Sequence, residues 1–333
     1  LNRAAEQFLN VEEKKSRGRF LQEYVRHPEL QAFVRRAIQG DVPLEGDIVL
    51  LGDEDRFFQV RGSPLRDARE RKIGVLVVLN EVTRLYKLER VRRDFVANVS
   101  HELKTPVTAI RGFAETLLEE GTRKPEEIRR FLGIILRQAT RLNTLVDDLL
   151  SLAQLERREE EAAVVPAPEP VRPVLEAAVQ SCAAQAGERG VRVEIRCPEE
   201  AEARLDPELF ERAVANLVDN AIKYSESGTT VEVECEPTEE NVLVRVRDRG
   251  CGIPREHLPR LFERFYRVDK ARSRAVGGTG LGLAIVKHIV LAHRGAVSVE
   301  SEPGRGSVFT LTLPRALQAP GNAPGKDGGL TQI

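Results

Sequence analysis

Between Val82 and Glu160 the apolar residues recur at intervals of three and four. Leu103, Pro106, Ile110, Phe113 and Leu117 form one such run. After a break at Gly121 and Pro125, Ile128, Phe131, Ile135, Gln138, Leu142, Leu145, Leu149 and Leu152 form another, with Gln138 its one polar member. A 3,4 repeat is the seam of a helix that packs along its length against another helix. Two seamed helices joined by a short turn predict an antiparallel helical hairpin. A lone hairpin buries little apolar surface, so two copies are expected to pair as a four-helix bundle, making the chain a homodimer.

The 333 residues leave room for more than this hairpin. Residues 1–80 mix a helix, Leu30–Gln39, with β-like runs at Asp47–Leu51, Arg56–Arg61 and Ile73–Asn80. Residues 81–160 hold a leading helix and the hairpin, and 161–170 form a charged, Pro-containing linker. Residues 171–316 alternate helical and strand patterns and predict an α/β domain. Residues 317–333, rich in Gly, Pro and Asn, are expected to be a disordered tail. The expected fold class is thus multidomain α+β.

Basic and acidic residues number 51 and 52, for a net charge of −1, so no nucleic-acid partner is expected. Cys182, Cys197, Cys235 and Cys251 lack a CxxC spacing and are read as reduced thiols, neither a disulfide framework nor a zinc site. No run of about 18 apolar residues is present, so a membrane is expected only through a segment upstream. A start at Leu1 and the absence of Met imply a piece of a longer chain.

His101 lies two residues before Leu103, a rotation of about 200° that turns it away from the seam to solvent. Lys104 and Thr105 share its face, and Pro106 cannot donate to the Glu102 carbonyl, which predicts a kink one turn below the histidine. A carboxylate beside an exposed imidazole can hold its Nδ1 proton and leave Nε2 free to attack. The same pattern also describes an ordinary surface histidine.

In the α/β region, Asp206-Pro207 is a helix start. Phe210, Val214, Leu217 and Ala221 make a buried stripe, and Asn216, Asn220 and Lys223 a polar one suited to Mg²⁺ and phosphate oxygens, or simply to solvent. Val242, Val244, Val246 and Asp248 share one side of a strand, so Asp248 carries a carboxylate to the rim of a covered space. Gly250 and Gly252 permit a tight turn there. Further on, GGTGLGLAIVKHIV is a glycine-rich turn opening a helix, a favourable place for phosphate.

The wording of these segments resembles the sensor histidine kinases of two-component systems. FVANVSHELKTPVTAIRGFAETL (95–117) is similar to their H box. NLVDNAIKYS (216–225), DRGCGIP (248–254), LFERFYRVD (261–269), GGTGLGLAIVK (277–287) and GRGSVFTLTLP (304–314) are similar to their N, G1, F, G2 and G3 boxes. Residues 1–80 resemble a PAS sensor module truncated at its N-terminus. The order of parts is most like the phosphate-regulon sensor kinases.

That resemblance implies a dimerising phosphotransfer hairpin and a two-layer α/β sandwich that binds ATP and Mg²⁺. It implies that His101 accepts phosphate, that Glu102 serves the loading reaction and that Thr105 serves removal of phosphate from a response regulator receiver domain. It further implies that Asp248 binds the adenine amino group and that Asn216 and Asn220 hold the metal. Lys223, Tyr224, Arg267, Gly278, Thr279, Gly280, Leu281 and Gly282 line the phosphate path, with Gly250 and Gly252 at the base. Cys251 is expected to be a small packing residue. The whole protein is expected at the bacterial inner membrane, with this portion in the cytoplasm. Gyrase, MutL and chaperone ATPases resemble one another in a Glu at the first N-box position; Asn216 stands there, and an amide cannot act as a general base. The expectation is a kinase, not an efficient ATPase.

Overall fold

The structure, a computed structural model, describes residues 2–9, 27–51, 55–119, 124–160, 165–269 and 278–316. Contacts divide the chain into two units, Leu1–Ala97 and Asn98–Ile333. The expected turn at Gly121, the tail 317–333, Gly277 and residues 161–164 of the expected linker lie outside the described residues.

In the first unit, α1 (Arg3–Leu9) and α2 (Pro28–Gln39) accompany a sheet of β1 (Leu44–Leu50), β2 (Arg56–Arg66) and β3 (Lys72–Glu81). The sheet is antiparallel in the order β1-β2-β3. α2 opens on Pro28, and its Glu29 accepts a hydrogen bond from the Val49 amide at 3.0 Å. The i, i+3, i+7 set Leu30, Phe33 and Ala37 meets Ile48, Leu50, Phe58 and Val60 in one buried cluster. β2 runs on to Arg66, past the expected end at Arg61 and through Pro64. β1 pairs with β2 only as far as Gly62, so Pro64 faces a locally open edge and its missing N–H costs no ladder bond.

The long helix α3 (Thr83–Leu118) runs unbroken through Pro106, and α4 (Pro125–Glu160) follows it. In the second unit Phe113 of α3 and Phe131 of α4, both seam positions, bring their rings to 5.4 Å between centroids. Beyond them come β4 (Ala167–Pro170), α5 (Val171–Ser181), α6 (Ala183–Arg189), β5 (Arg192–Arg196) and β6 (Glu202–Leu205). Then follow α7 (Pro207–Tyr224), β7 (Thr230–Pro237), β8 (Asn241–Arg247), α8 (Gly282–Ala292), β9 (Ala296–Glu302) and β10 (Gly306–Pro314).

The main sheet has the order β5-β7-β8-β10-β9, with β5 and β7 parallel and the rest antiparallel. Alternation along β7 and β8 buries Val231, Val233, Val242, Val244 and Val246 on one face. Helices α5, α7 and α8 pack together, and Leu175, Phe210, Leu217, Ile285 and Ile289 are fully buried among them. The two-layer α/β sandwich expected from the sequence is what these strands and helices build.

Candidate functional site

α7 carries the first part of the site. Asp206 caps it by accepting from the Leu209 amide at 3.1 Å, and Pro207 fills its first turn. Phe210, Val214, Leu217 and Ala221 are buried as expected, together with Ala213, Val218 and Ile222. That leaves Asn216, Asn220 and Lys223 half-buried on another face. Neither Asn216 nor Asn220 engages its carboxamide in a hydrogen bond among the described residues. Lys223 pairs with Asp219 at 2.5 Å, a partner one helical turn back that the sequence reading did not include.

Behind this helix, buried His293 accepts the Asp206 amide at its Nε2, 2.8 Å away, and its Nδ1 lies 2.7 Å from the Ile289 carbonyl. With both nitrogens so engaged the imidazole is the neutral Nδ1–H tautomer. It anchors the start of α7 to the end of α8.

Asp248 follows the last residue of β8 and is buried, as its register with three inward valines predicts. Its Oδ1 accepts from the Gly250 amide at 2.8 Å and the Ser307 amide at 3.2 Å. Both bonds fall on one oxygen, which leaves Oδ2 for a ligand. Burial pushes the carboxyl pKa above the ordinary range, against the lowering effect of those two amides and of the Ser307 hydroxyl. The buried hydroxyl of Ser225 has no hydrogen-bond partner, and Ser225 bridges to Gly250 through the backbone. An orphan hydroxyl beside a carboxylate with a spare oxygen fits a base that both donates and accepts hydrogen bonds. Tyr224, half-buried at the end of α7, sets its carbonyl against Gly250. At Gly252, φ is +66° and a Cβ would strike the Glu302 carbonyl, so the turn admits only glycine. Cys251 between them is exposed and does not pack, contrary to expectation.

The glycine-rich turn brings Gly278, Thr279, Gly280 and Leu281 to the start of α8, where Leu281 is fully buried. A Cβ on Gly282 would come within 3.2 Å of Asn216 Oδ1, so the turn lies directly against the α7 amide. Arg267 donates to the Thr279 carbonyl at 2.7 Å, and Phe265 donates its amide to the Gly280 carbonyl at 2.8 Å.

On α3 His101 is exposed, as the heptad argument requires, and Thr105 returns its hydroxyl proton to the His101 carbonyl at 3.0 Å. Glu102 departs from expectation. Its Oε2 accepts from Arg141 and from Arg267, each at 3.1 Å. Two guanidinium groups satisfy that carboxylate, so it is not the group that orients the imidazole in this conformation. Arg267, expected on the phosphate path, is shared between the carboxylate next to His101 and the turn next to Asn216.

Further contacts of this kind join α4 to the nucleotide side. Asp148 accepts from the Thr279 hydroxyl at 2.8 Å and lies 3.6 Å from Arg212 of α7. Burial raises its pKa, with Thr279 and Arg212 opposing. Glu156 pairs with Arg264. Asp148, Glu156, Arg141 and Arg212 were not singled out from the sequence. The adjacent acids Asp147 and Asp148, set between Leu145-Val146 and Leu149-Leu150, were the available signal.

An exposed histidine on a helical hairpin is thus set against an α/β layer with a buried carboxylate, paired carboxamides and a glycine turn. Residues 205–317 match the family described as histidine kinase-, DNA gyrase B-, and HSP90-like ATPase, residues 91–158 the His Kinase A phospho-acceptor domain, and residues 1–87 the PAS fold. The sensor protein SrrB of Staphylococcus aureus is 34% identical over 261 residues, covering 78% of this chain and 44% of that protein. The chain therefore spans less than half the length of the curated relatives it matches.

Among solved structures, the histidine kinase ThkA, in complex with the response regulator protein TrrA, aligns with 95% of this chain and 91% of its own at TM-score 0.54 and 23% identity. The Acinetobacter baumannii histidine kinase AdeS aligns with 65% of this chain and 98% of its own at TM-score 0.51 and 24% identity. At these identities the structural likeness is one of fold. The domain matches and the relative together place the chain in the sensor histidine kinase family. No described helix is long and apolar enough to cross a membrane.

Proposed function

We propose that this chain takes the γ-phosphoryl group of ATP onto His101 and passes it to an aspartate of a response regulator receiver domain. The observation that carries this reading is the pair of bonds at Arg267, one to Glu102 beside His101 and one to Thr279 of the glycine turn. One guanidinium in contact with both places is suited to neutralise phosphate charge as the group moves between them. Asp248 and Ser225 would hold the adenine edge. Asn216 and Asn220 would hold Mg²⁺, which when bound supplies charge neutralisation on the phosphate oxygens. Lys223, Tyr224 and the turn from Gly278 to Gly282 would line the phosphates. The amide at Asn216 leaves the site without the water-activating carboxylate of the related ATPases.

Residues 81–160 would act as the phosphotransfer and dimerisation unit and 171–316 as the ATP-binding unit, behind a PAS-like sensor in 1–80. Ile128, Leu132, Leu136, Val146 and Leu150 of α4 all expose 39–68% of their surface. Their spacing confines them to a stripe about 80° wide. That stripe is suited to a second copy of the hairpin. ThkA, whose structure holds a response regulator, supports the choice of receiver domain as acceptor. Membrane anchoring would come from a part of the protein outside this sequence.

Incubation with radiolabelled ATP and Mg²⁺ tests the central claim. The wild-type chain is expected to acquire an acid-labile, base-stable label, and His101→Gln to acquire none. A label of wild-type extent on His101→Gln overturns the reading.

A further inference from the structure

Cys197 and Cys235 are far apart in sequence and meet in the sheet. β5 and β7 run parallel with Arg196 opposite Glu234, so the next position on each strand sets Cys197 opposite Cys235. Alternation turns both side chains inward, on the same face as Val231 and Val233, and exposures of 8% and 7% confirm it. The Cys197 thiol donates to the Pro198 carbonyl at 3.4 Å, and no hydrogen bond from the Cys235 side chain is seen among the described residues. Positions in register on neighbouring strands lie about 4.8 Å apart, inside the roughly 4.4–6.8 Å separation of Cα atoms that a disulfide spans. Both thiols are free in this structure.

The two sulfurs are not equivalent. Burial pushes both thiols up in pKa, but the Arg172 guanidinium opposes the rise at Cys197, while the Cys197 sulfur adds to it at Cys235. Arg172 also donates to the Cys197 carbonyl at 2.9 Å. Arg172 thus stands on the Cys197 side of the pair, and Cys197 follows the last residue of the edge strand β5, where a small oxidant meets it first. Cys235 lies inside β7, between β5 and β8.

We propose that Cys197 and Cys235 are an oxidation site in which a hydroperoxide attacks at Cys197 and Cys235 closes a disulfide. In the first step the Cys197 thiolate takes the terminal oxygen of the hydroperoxide, the O–O bond breaks, and an alcohol or water leaves; Cys197 becomes a sulfenic acid. In the second the Cys235 sulfur attacks the Cys197 sulfur, its proton and the sulfenic hydroxyl depart as water, and the S–S bond forms. Each hydroperoxide removes one pair of electrons from the two thiols. The bond would lie one helix from the nucleotide side chains, because Arg172 belongs to α5 and α5 packs on α7, which carries Asn216 and Asn220. The site stands independently of the phosphotransfer reading.

Treating the reduced chain with hydrogen peroxide, alkylating the remaining thiols after denaturation and mapping peptides by mass spectrometry tests it. The expected product is a Cys197–Cys235 linked peptide that dithiothreitol abolishes, with the far-ultraviolet circular dichroism of the protein unchanged. With dimedone present, Cys235→Ser is expected to give the adduct on Cys197, and Cys197→Ser to give none on Cys235. Recovery of both cysteines as alkylated thiols overturns the proposal. So does a link through Cys251 or Cys182 instead, or a link that appears only once the dichroism shows unfolding. An adduct on Cys235 in place of Cys197 overturns the order of attack.

Discussion

Asp248 shows what one side chain gives up for a ligand. Its carboxylate is buried, both of its bonds from backbone amides fall on Oδ1, and its pKa is raised chiefly by burial. A raised folded pKa means that folding favours the protonated acid. The resulting stability is fully present below the unfolded value of about 3.9 and is lost as pH rises through the folded one. At neutral pH the ionised group therefore costs stability, and Asp248→Asn, whose Oδ1 can still accept from Gly250 and Ser307, is expected to raise Tm by a few degrees. The gain should shrink as pH falls towards the ordinary aspartate range. The same variant should lose its preference for adenine over guanine nucleotides, since an amide no longer pairs selectively with an amino group. Calorimetry across pH beside nucleotide titration checks both, and a Tm difference independent of pH would show that the burial cost is not what Asp248 bears.

At the scale of elements, the two helices that hold the chemistry are fixed differently. α7 is fixed at its start by His293, whose removal would leave the half-buried Asp206 amide without its acceptor and open a cavity beside Phe210, 6.3 Å away ring to ring. His293→Ala is expected to cost about 2–4 kcal/mol in chemical denaturation. α3 is fixed by its seam, and Thr105 adds a bond from its hydroxyl to the His101 carbonyl. That bond spends the hydroxyl proton but leaves its lone pairs turned outward on the His101 face, able to hold a water in line with an aspartyl phosphate of a docked receiver domain. Thr105→Ala is accordingly expected to load His101 at the wild-type rate and to prolong the lifetime of the phosphorylated partner several-fold. Loss of loading to the same extent would assign Thr105 to the helix and not to the reaction.

At the scale of the whole molecule, the exposed stripe on α4 calls for a second copy. Leu136, 68% exposed at its centre, is the sharpest probe. Leu136→Glu would bury a charge in the paired hairpins and is expected to shift the protein from dimer to monomer mass in sedimentation at micromolar concentration. Unchanged sedimentation would place the dimer contact elsewhere. The interhelical stripe read from the sequence and this second stripe lie side by side on the same helix and share Ile128, and periodicity alone had assigned only one of them. Both repeat at helical spacing, so which faces the partner helix of its own hairpin is decided by packing.

Much of the protein was legible in residue order. The 3,4 repeats specify long paired helices, the alternation of Val242, Val244 and Val246 specifies a strand with one covered face, and Asp206-Pro207 specifies where α7 begins. These are local properties, set by helix and strand periods and by the capping needs of a chain end, so the sequence carries them whole. The juxtapositions that give the site its character are not local. Thr279 meets Asp148 across 131 residues and Arg267 meets Glu102 across 165. Cys197 faces Cys235 only because β5 joins β7 in parallel register. Burial then raises the pKa of Asp148 and of Asp248, and ion pairing takes Glu102 from the histidine beside it to two arginines. Charge, dielectric and partner are properties of what surrounds a side chain in space, and only the tertiary structure assembles those surroundings.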